Sequence, residues 1–247
     1  MDSLTQRWTR LAPHIQTLGP SGRRPAVLLF HGCGGLGAHL CDYAAAATAQ
    51  GVRAVIVDSY APRGWPASFG KTFVCTGMAF RGAQRAGDVL AAAHGAIAEL
   101  EAEGLVLAGW SHGGWSIMDL MTMPLQQQGE AGLADPSPAP LDAVKGLFLA
   151  YPYGGLTALS RERDWVRRPR TLAVLGEKDR VTHPRDAQRI YDRIAAGGCE
   201  LEVWRAPARH AFDEAGSDMS WLRYDRELAG ASVQRFARFL GEVLGLG

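Results

Sequence analysis

Six short runs rich in Val, Leu, Ile and Ala recur along this chain, and most of them lack a polar residue at every second position. They cover 26–30 (AVLLF), 52–57 (VRAVIV), 105–108 (LVLA), 144–150 (VKGLFLA), 172–175 (LAVL) and 200–204 (ELEVW). A strand with one wet face alternates; a strand covered on both faces reads as a continuous apolar run. The segments between them, 40–50, 81–103, 112–123, 184–196 and 231–244, have helical character. In 81–103, Val89, Ala93, Ile97 and Leu100 recur at helical spacing and form one apolar stripe. Strand alternating with helix demands right-handed crossovers, so the chain is expected to be α/β, with a mostly parallel central sheet and helices on both faces. Residues 14–18 are expected to add an edge strand, followed by the turn Pro-Ser-Gly-Arg-Arg. Residues 129–140, with three prolines, read as a surface loop and not as a linker. One domain spanning 1–247 accounts for the whole pattern.

Charge narrows the partners. With 26 Lys+Arg against 25 Asp+Glu, the formal net charge is +1, which supplies no long-range field to gather nucleic acid or an acidic membrane. No apolar run reaches the length a bilayer span needs, so no membrane association is expected. The N-terminus has no apolar signal core, and a cytoplasmic location is the expectation. The four cysteines, Cys33, Cys41, Cys75 and Cys199, lack zinc-ligand spacing. A reducing compartment would leave them as free thiols, although Cys33, Cys41 and Cys75 fall close enough to one set of loops for a bridge to form there.

The chemistry centres on Gly109-Trp-Ser111-His112-Gly113-Gly114. Among 30 glycines the G-x-S-x-G pattern alone is weak. Its setting is stronger, because the pattern follows the apolar run 105–108 and opens a helical segment, the strand–turn–helix context of a nucleophile elbow. Glycines two residues either side of the serine let strand and helix pass closely, and the helix start turns free N–H groups toward a developing oxyanion. A second glycine-rich segment, His31-Gly-Cys33-Gly-Gly35, follows the run 26–30. The backbone N–H groups of Cys33 and His112 are therefore the expected oxyanion donors. His31 is expected to brace its loop by hydrogen bonds, and the His112 side chain to lie at the rim.

A nucleophilic serine needs a base and a group that orients it. Run 172–175 leads through Gly-Glu-Lys to Asp179, and run 200–204 through a loop to His210. Glu177 competes with Asp179 but sits nearer the strand. His14, His39, His94 and His183 follow no strand in this way. The order Ser111, Asp179, His210 is that of the α/β-hydrolase fold, and all three fall where the ligand crevice of an open parallel sheet lies.

These motifs, with Asp58-Ser-Tyr60-Ala-Pro-Arg63-Gly64 after the second strand and Ala-Arg-His210-Ala-Phe212, resemble the dienelactone hydrolase family over most of the chain, from about residue 27 to 244. The resemblance implies an α/β-hydrolase fold without a large cap domain and a hydrolase of small carboxylic esters or lactones that needs no cofactor or metal. Two departures stand out. The best-known members carry a cysteine nucleophile where this chain has Ser111, and they hold the substrate carboxylate with arginines, one shortly after the catalytic histidine. Here that place reads Ala-Phe-Asp-Glu. Arg63, Arg81 and Arg209 are the remaining candidates for holding an anion.

The stretches 62–78 and 151–165 carry Trp65, Phe69, Phe73, Tyr151, Tyr153 and Trp165. They are expected to wall a small pocket, with Arg63, Trp65, Tyr151 and Tyr153 contacting substrate. A peptidase or thioesterase of the same fold would use the same triad, and a binding protein on this fold is a further alternative.

Overall fold

The computed structural model describes residues 1–75, 79–216, 218–219 and 221–246. Seven strands form one sheet: β1 (Ile15–Leu18), β2 (Arg24–Phe30), β3 (Arg53–Val57), β4 (Ala102–Trp110), β5 (Val144–Ala150), β6 (Arg170–Gly176) and β7 (Leu201–Ala206). Their order is β1-β3-β2-β4-β5-β6-β7, with β1 antiparallel and every other pairing parallel. The helices are α1 (Leu4–Leu11), α2 (His39–Thr48), the single turn α3 (Ala67–Phe69), α4 (Gly82–Ala98), α5 (His112–Met121), α6 (Pro184–Ala196) and α7 (Arg226–Leu244).

Both faces of the sheet are covered, which is why its strands lack polar alternation. Leu28, Phe30, Leu105, Leu107, Leu147 and Leu149 pack with α1, α4, α5 and α6 on one face. Their neighbours Val27, Leu29, Val106, Ala108, Phe148 and Ala150 pack with α2 and α7 on the other. The period of two survives as a choice between two cores.

Strand order reverses at β2. The chain goes from β2 outward to β3, then returns across β2 to β4. Phe30 on β2 pairs with Gly109 on β4, so the loop leaving β2 and the turn leaving β4 emerge side by side. That is the switch point where an open α/β sheet forms its crevice.

Several expected boundaries shift, among them the start of the last helix, expected at 231 and found at Arg226. The helix expected over 81–103 ends at Ala98, and β4 already begins at Ala102. The N-terminal α1 is an additional element: Ser3 caps it by accepting from the Gln6 amide, Gln6 reciprocates, and Leu4, Trp8 and Leu11 are buried.

Candidate active site

Ser111 occupies the turn between β4 and α5 with φ 49° and ψ −108°, a conformation a side-chain-bearing residue holds only when its surroundings fix it. Those surroundings are tight. A Cβ on Gly109 would lie 2.5 Å from the Gly114 amide nitrogen, and one on Gly113 would run into the Phe30 carbonyl. The Ser111 N–H is tied to the Ala150 carbonyl at 2.8 Å.

The three residues expected to form a triad come together. His210 Nε2 stands 3.0 Å from Ser111 Oγ, and His210 Nδ1 stands 2.7 Å from Asp179 Oδ2. Asp179 also accepts from the amides of Val181 (2.7 Å) and Thr182 (3.0 Å) at Oδ1, and from the Thr182 hydroxyl (2.8 Å) at Oδ2. Burial works against ionising this carboxyl, but the hydrogen bonds from His210 and Thr182 outweigh it and hold Asp179 below the usual carboxylate range. An ionised Asp179 keeps the proton on Nδ1 and leaves Nε2 free to accept. Glu177 is exposed and takes no part.

The loop leaving β2 passes over the nucleophile: a methyl on Gly32 would lie 3.6 Å from Ser111 Cβ. The loop is pinned from several sides. Arg85 donates to the His31 carbonyl (2.7 Å), Tyr60 donates through its hydroxyl to the Cys33 carbonyl (3.0 Å), and the Ser59 amide donates to His31 Nε2 (3.2 Å). His31 thus braces its loop. Burial, then the Arg85 charge, lowers its pKa well below the ordinary value, so it is neutral.

His112 differs from expectation. Its side chain is buried, not at the rim, because its Nε2 donates to the Phe80 carbonyl (2.7 Å) while Nδ1 faces Arg85 at 3.0 Å. Burial, then the Arg85 charge, lowers its pKa to about 3 despite the opposing bond to Phe80. Arg85 therefore ties the His31 loop to the first residue of α5. Sequence reasoning missed it, since it lies in the first turn of α4 with partners 26, 27 and 54 residues away.

The expectation of free thiols is corrected for two cysteines. Cys33 and Cys75 form a disulfide with Cα atoms 5.2 Å apart; Cys41 and Cys199 are free. The bridge anchors the Cys33 loop to the segment after α3, and bonds of this kind persist in oxidising compartments. Reduction is expected to cost about 2–4 kcal/mol of stability and to slow turnover. Melting and ester hydrolysis with and without dithiothreitol would show both losses, and neither should occur on adding the reductant to a Cys75→Ala variant.

The residues expected to contact substrate divide. Arg63 is committed elsewhere: it pairs with buried Asp88 through both terminal nitrogens (2.9 Å each) and donates to the Ser59 carbonyl. Tyr151 is buried with its hydroxyl on Asp213 at 2.5 Å and its ring edge on His210, so it supports the site from behind. Trp165 lies in the core, on the sheet face covered by α1, α4, α5 and α6. Trp65 and Phe69 stack half-buried over Tyr60 and Phe80, and Tyr153 packs half-buried on Trp115. The last residues of the stretch 62–78 lie outside the described residues. Asp213, also missed, accepts from Tyr43 (2.7 Å), Trp110 (3.0 Å) and Tyr151, and so fixes the turn that carries His210. Among the described residues, no three His, Cys, Asp or Glu side chains group to hold a metal ion, and no helix is long and apolar enough to cross a membrane.

No family model and no curated protein matches the chain. Solved structures do match in fold. A Klebsiella pneumoniae protein assigned as a dienelactone hydrolase superposes with a TM-score of 0.66 at 17% identity, covering 92% of each chain. A dienelactone hydrolase-like promiscuous phosphotriesterase from metagenomic libraries gives 0.65 at 14% identity, covering 93% of this chain and 92% of that one. Thermogutta terrifontis esterase 2, phosphonylated by sarin, gives 0.63 at 18% identity, with 93% and 89% covered. The chain therefore has the α/β-hydrolase fold of these dienelactone hydrolase-like structures, with no large cap domain among the described residues.

Proposed function

We propose that the chain is a serine hydrolase of small carboxylic esters or lactones, with Ser111 as nucleophile, His210 as base and Asp179 as the group that orients it. The observation that carries this reading is the continuous path from Asp179 Oδ2 through His210 to Ser111 Oγ, at 2.7 and 3.0 Å. His210 Nε2 takes the hydroxyl proton as Oγ attacks the carbonyl carbon. The amides of Cys33 and His112 hold the oxyanion; His112 opens α5, where N–H groups have no acceptor within the helix. Protonated His210 then gives its proton to the departing alcohol, and the same nitrogen activates water to cleave the acyl-enzyme. Trp65 and Tyr153 are the aromatic walls of the substrate site, which suits short, soluble substrates.

The Thermogutta esterase is phosphonylated by sarin, and an activated Ser111 should react with organophosphorus reagents in the same way. A fluorophosphonate probe is expected to label the native chain stoichiometrically at Ser111, as read by peptide mass spectrometry. No labelling, or labelling at another residue, would overturn the reading. Hydrolysis of p-nitrophenyl esters from acetate to decanoate is expected to favour the short acyl chains.

A further inference from the structure

Beside the triad lies a carboxylate that acyl transfer does not use. Glu214 stands four residues after His210, on a turn closed by its own amide donating to the Ala211 carbonyl at 3.1 Å. The turn is held in place because Asp213 accepts from Tyr43, Trp110 and Tyr151. A methyl on Gly32 would lie 3.6 Å from Ser111 Cβ and 3.8 Å from a Glu214 carboxylate oxygen. The glycine thus leaves open a space that nucleophile and carboxylate both border.

Glu214 keeps its carboxylate partly open to solvent. Its carboxylate accepts no hydrogen bond from a described residue, and His39 Nε2 stands 3.8 Å away, beyond hydrogen-bond reach. The His39 side chain is only 1% exposed, and neither of its ring nitrogens has a hydrogen-bond partner. Lys71 acts on Glu214 through space without closing an ion pair. Buried nitrogens left unpartnered, as both are in His39, are costly and point to a missing partner. Burial pushes the Glu214 carboxyl up from its ordinary range, and a cation would reverse that. The remaining 28% of the side chain that meets solvent is the way in.

We infer that Glu214, backed by His39, selects esters carrying an ammonium group close to the scissile carbonyl and disfavours anionic ones. This rests on the ester-hydrolase reading above and narrows its substrate class. A partly desolvated attraction between opposite charges is worth on the order of tenfold in kcat/KM.

Isosteric pairs test it on either side of the ester bond: butyrylcholine against 3,3-dimethylbutyl butyrate, and methyl 3-(trimethylammonio)propanoate against methyl 4,4-dimethylpentanoate. The quantity read is the cationic-to-neutral ratio of kcat/KM within each protein, so a general loss of rate in a variant cancels. At least one pair is expected to show a ratio about tenfold higher in wild type than in Glu214→Gln, and Glu214→Arg should favour a hemisuccinate monoester. Ratios unchanged in Glu214→Gln for both pairs would overturn the inference while leaving the hydrolase reading intact; no turnover of any ester by wild type would remove both. Should the variants fail to fold, tetramethylammonium chloride is expected to inhibit wild type more than sodium chloride at equal ionic strength. Equal inhibition would overturn the inference.

Discussion

Ser111→Ala is expected to lower kcat for a short p-nitrophenyl ester by roughly 10⁶-fold, with the melting temperature unchanged or slightly raised. On the proposed mechanism, the size of the loss follows from removing the atom that forms the acyl-enzyme. His210 and Asp179 keep their mutual bond at 2.7 Å, but a base with no hydroxyl at 3.0 Å can do no more than activate water. What survives is the oxyanion hole and binding, worth some 10³–10⁴ over the uncatalysed reaction. The fold should tolerate the change, because the elbow is held by the Ser111 amide and the close approach of Gly109 and Gly113, not by the hydroxyl. Relieving the strained φ of 49° would favour glycine over alanine, so the strain itself stays in Ser111→Ala. A variant that folds and retains more than a hundredth of wild-type turnover would remove Ser111 from the nucleophile's role.

The sequence made the sheet readable because its strands are buried on both faces, and a continuous run such as AVLLF has few other uses. Boundaries were less readable. The apolar stripe of α4 runs on through Ile97 and Leu100, and the chain turns at Glu101 with φ 54°, a place where neither Gly nor Pro marks the break. The N-terminal helix could have been found from Ser3-x-x-Gln6 and the spacing of Leu4, Trp8 and Leu11. The convergence of Ser111, Asp179 and His210 was legible because each lies within four residues of the C-terminal end of a strand, on one edge of the sheet. Arg63 was not, since its partner Asp88 sits 25 residues away on α4. Tyr151 looked like a pocket wall and became a buttress because Asp213, 62 residues on, claims its hydroxyl. His39 follows no strand, yet α2 brings it against Glu214. Residues whose role depends on one distant partner leave no local pattern to read.

Asp179→Asn should lower kcat by about 10⁴-fold with little change in KM, and the reason is a count of hydrogen atoms. Every group around the Asp179 carboxylate is a donor: two amides at Oδ1, the Thr182 hydroxyl and His210 Nδ1 at Oδ2. Asparagine has one oxygen to offer. The amides of Val181 and Thr182 cannot turn away, so they take the oxygen and leave the NH₂ facing His210. Nδ1 must then accept, the ring proton moves to Nε2, and the nitrogen beside Ser111 Oγ becomes a donor that cannot take the hydroxyl's proton. The Thr182 hydroxyl can rotate, so the geometry should survive while the tautomer inverts. In wild type the folded-state pKa of Asp179 lies below its unfolded value. Its ionisation therefore adds stability above the ordinary carboxylate range, and that contribution is lost as pH falls through the lower folded value. Asp179→Asn removes this contribution and should flatten the dependence of melting temperature on pH below about 4. The expected signature is thus a folded protein with a Ser111 slow to react with a fluorophosphonate and a weaker acid dependence of stability. Wild-type labelling rates in Asp179→Asn would mean that another carboxylate, Glu177 first among them, orients His210.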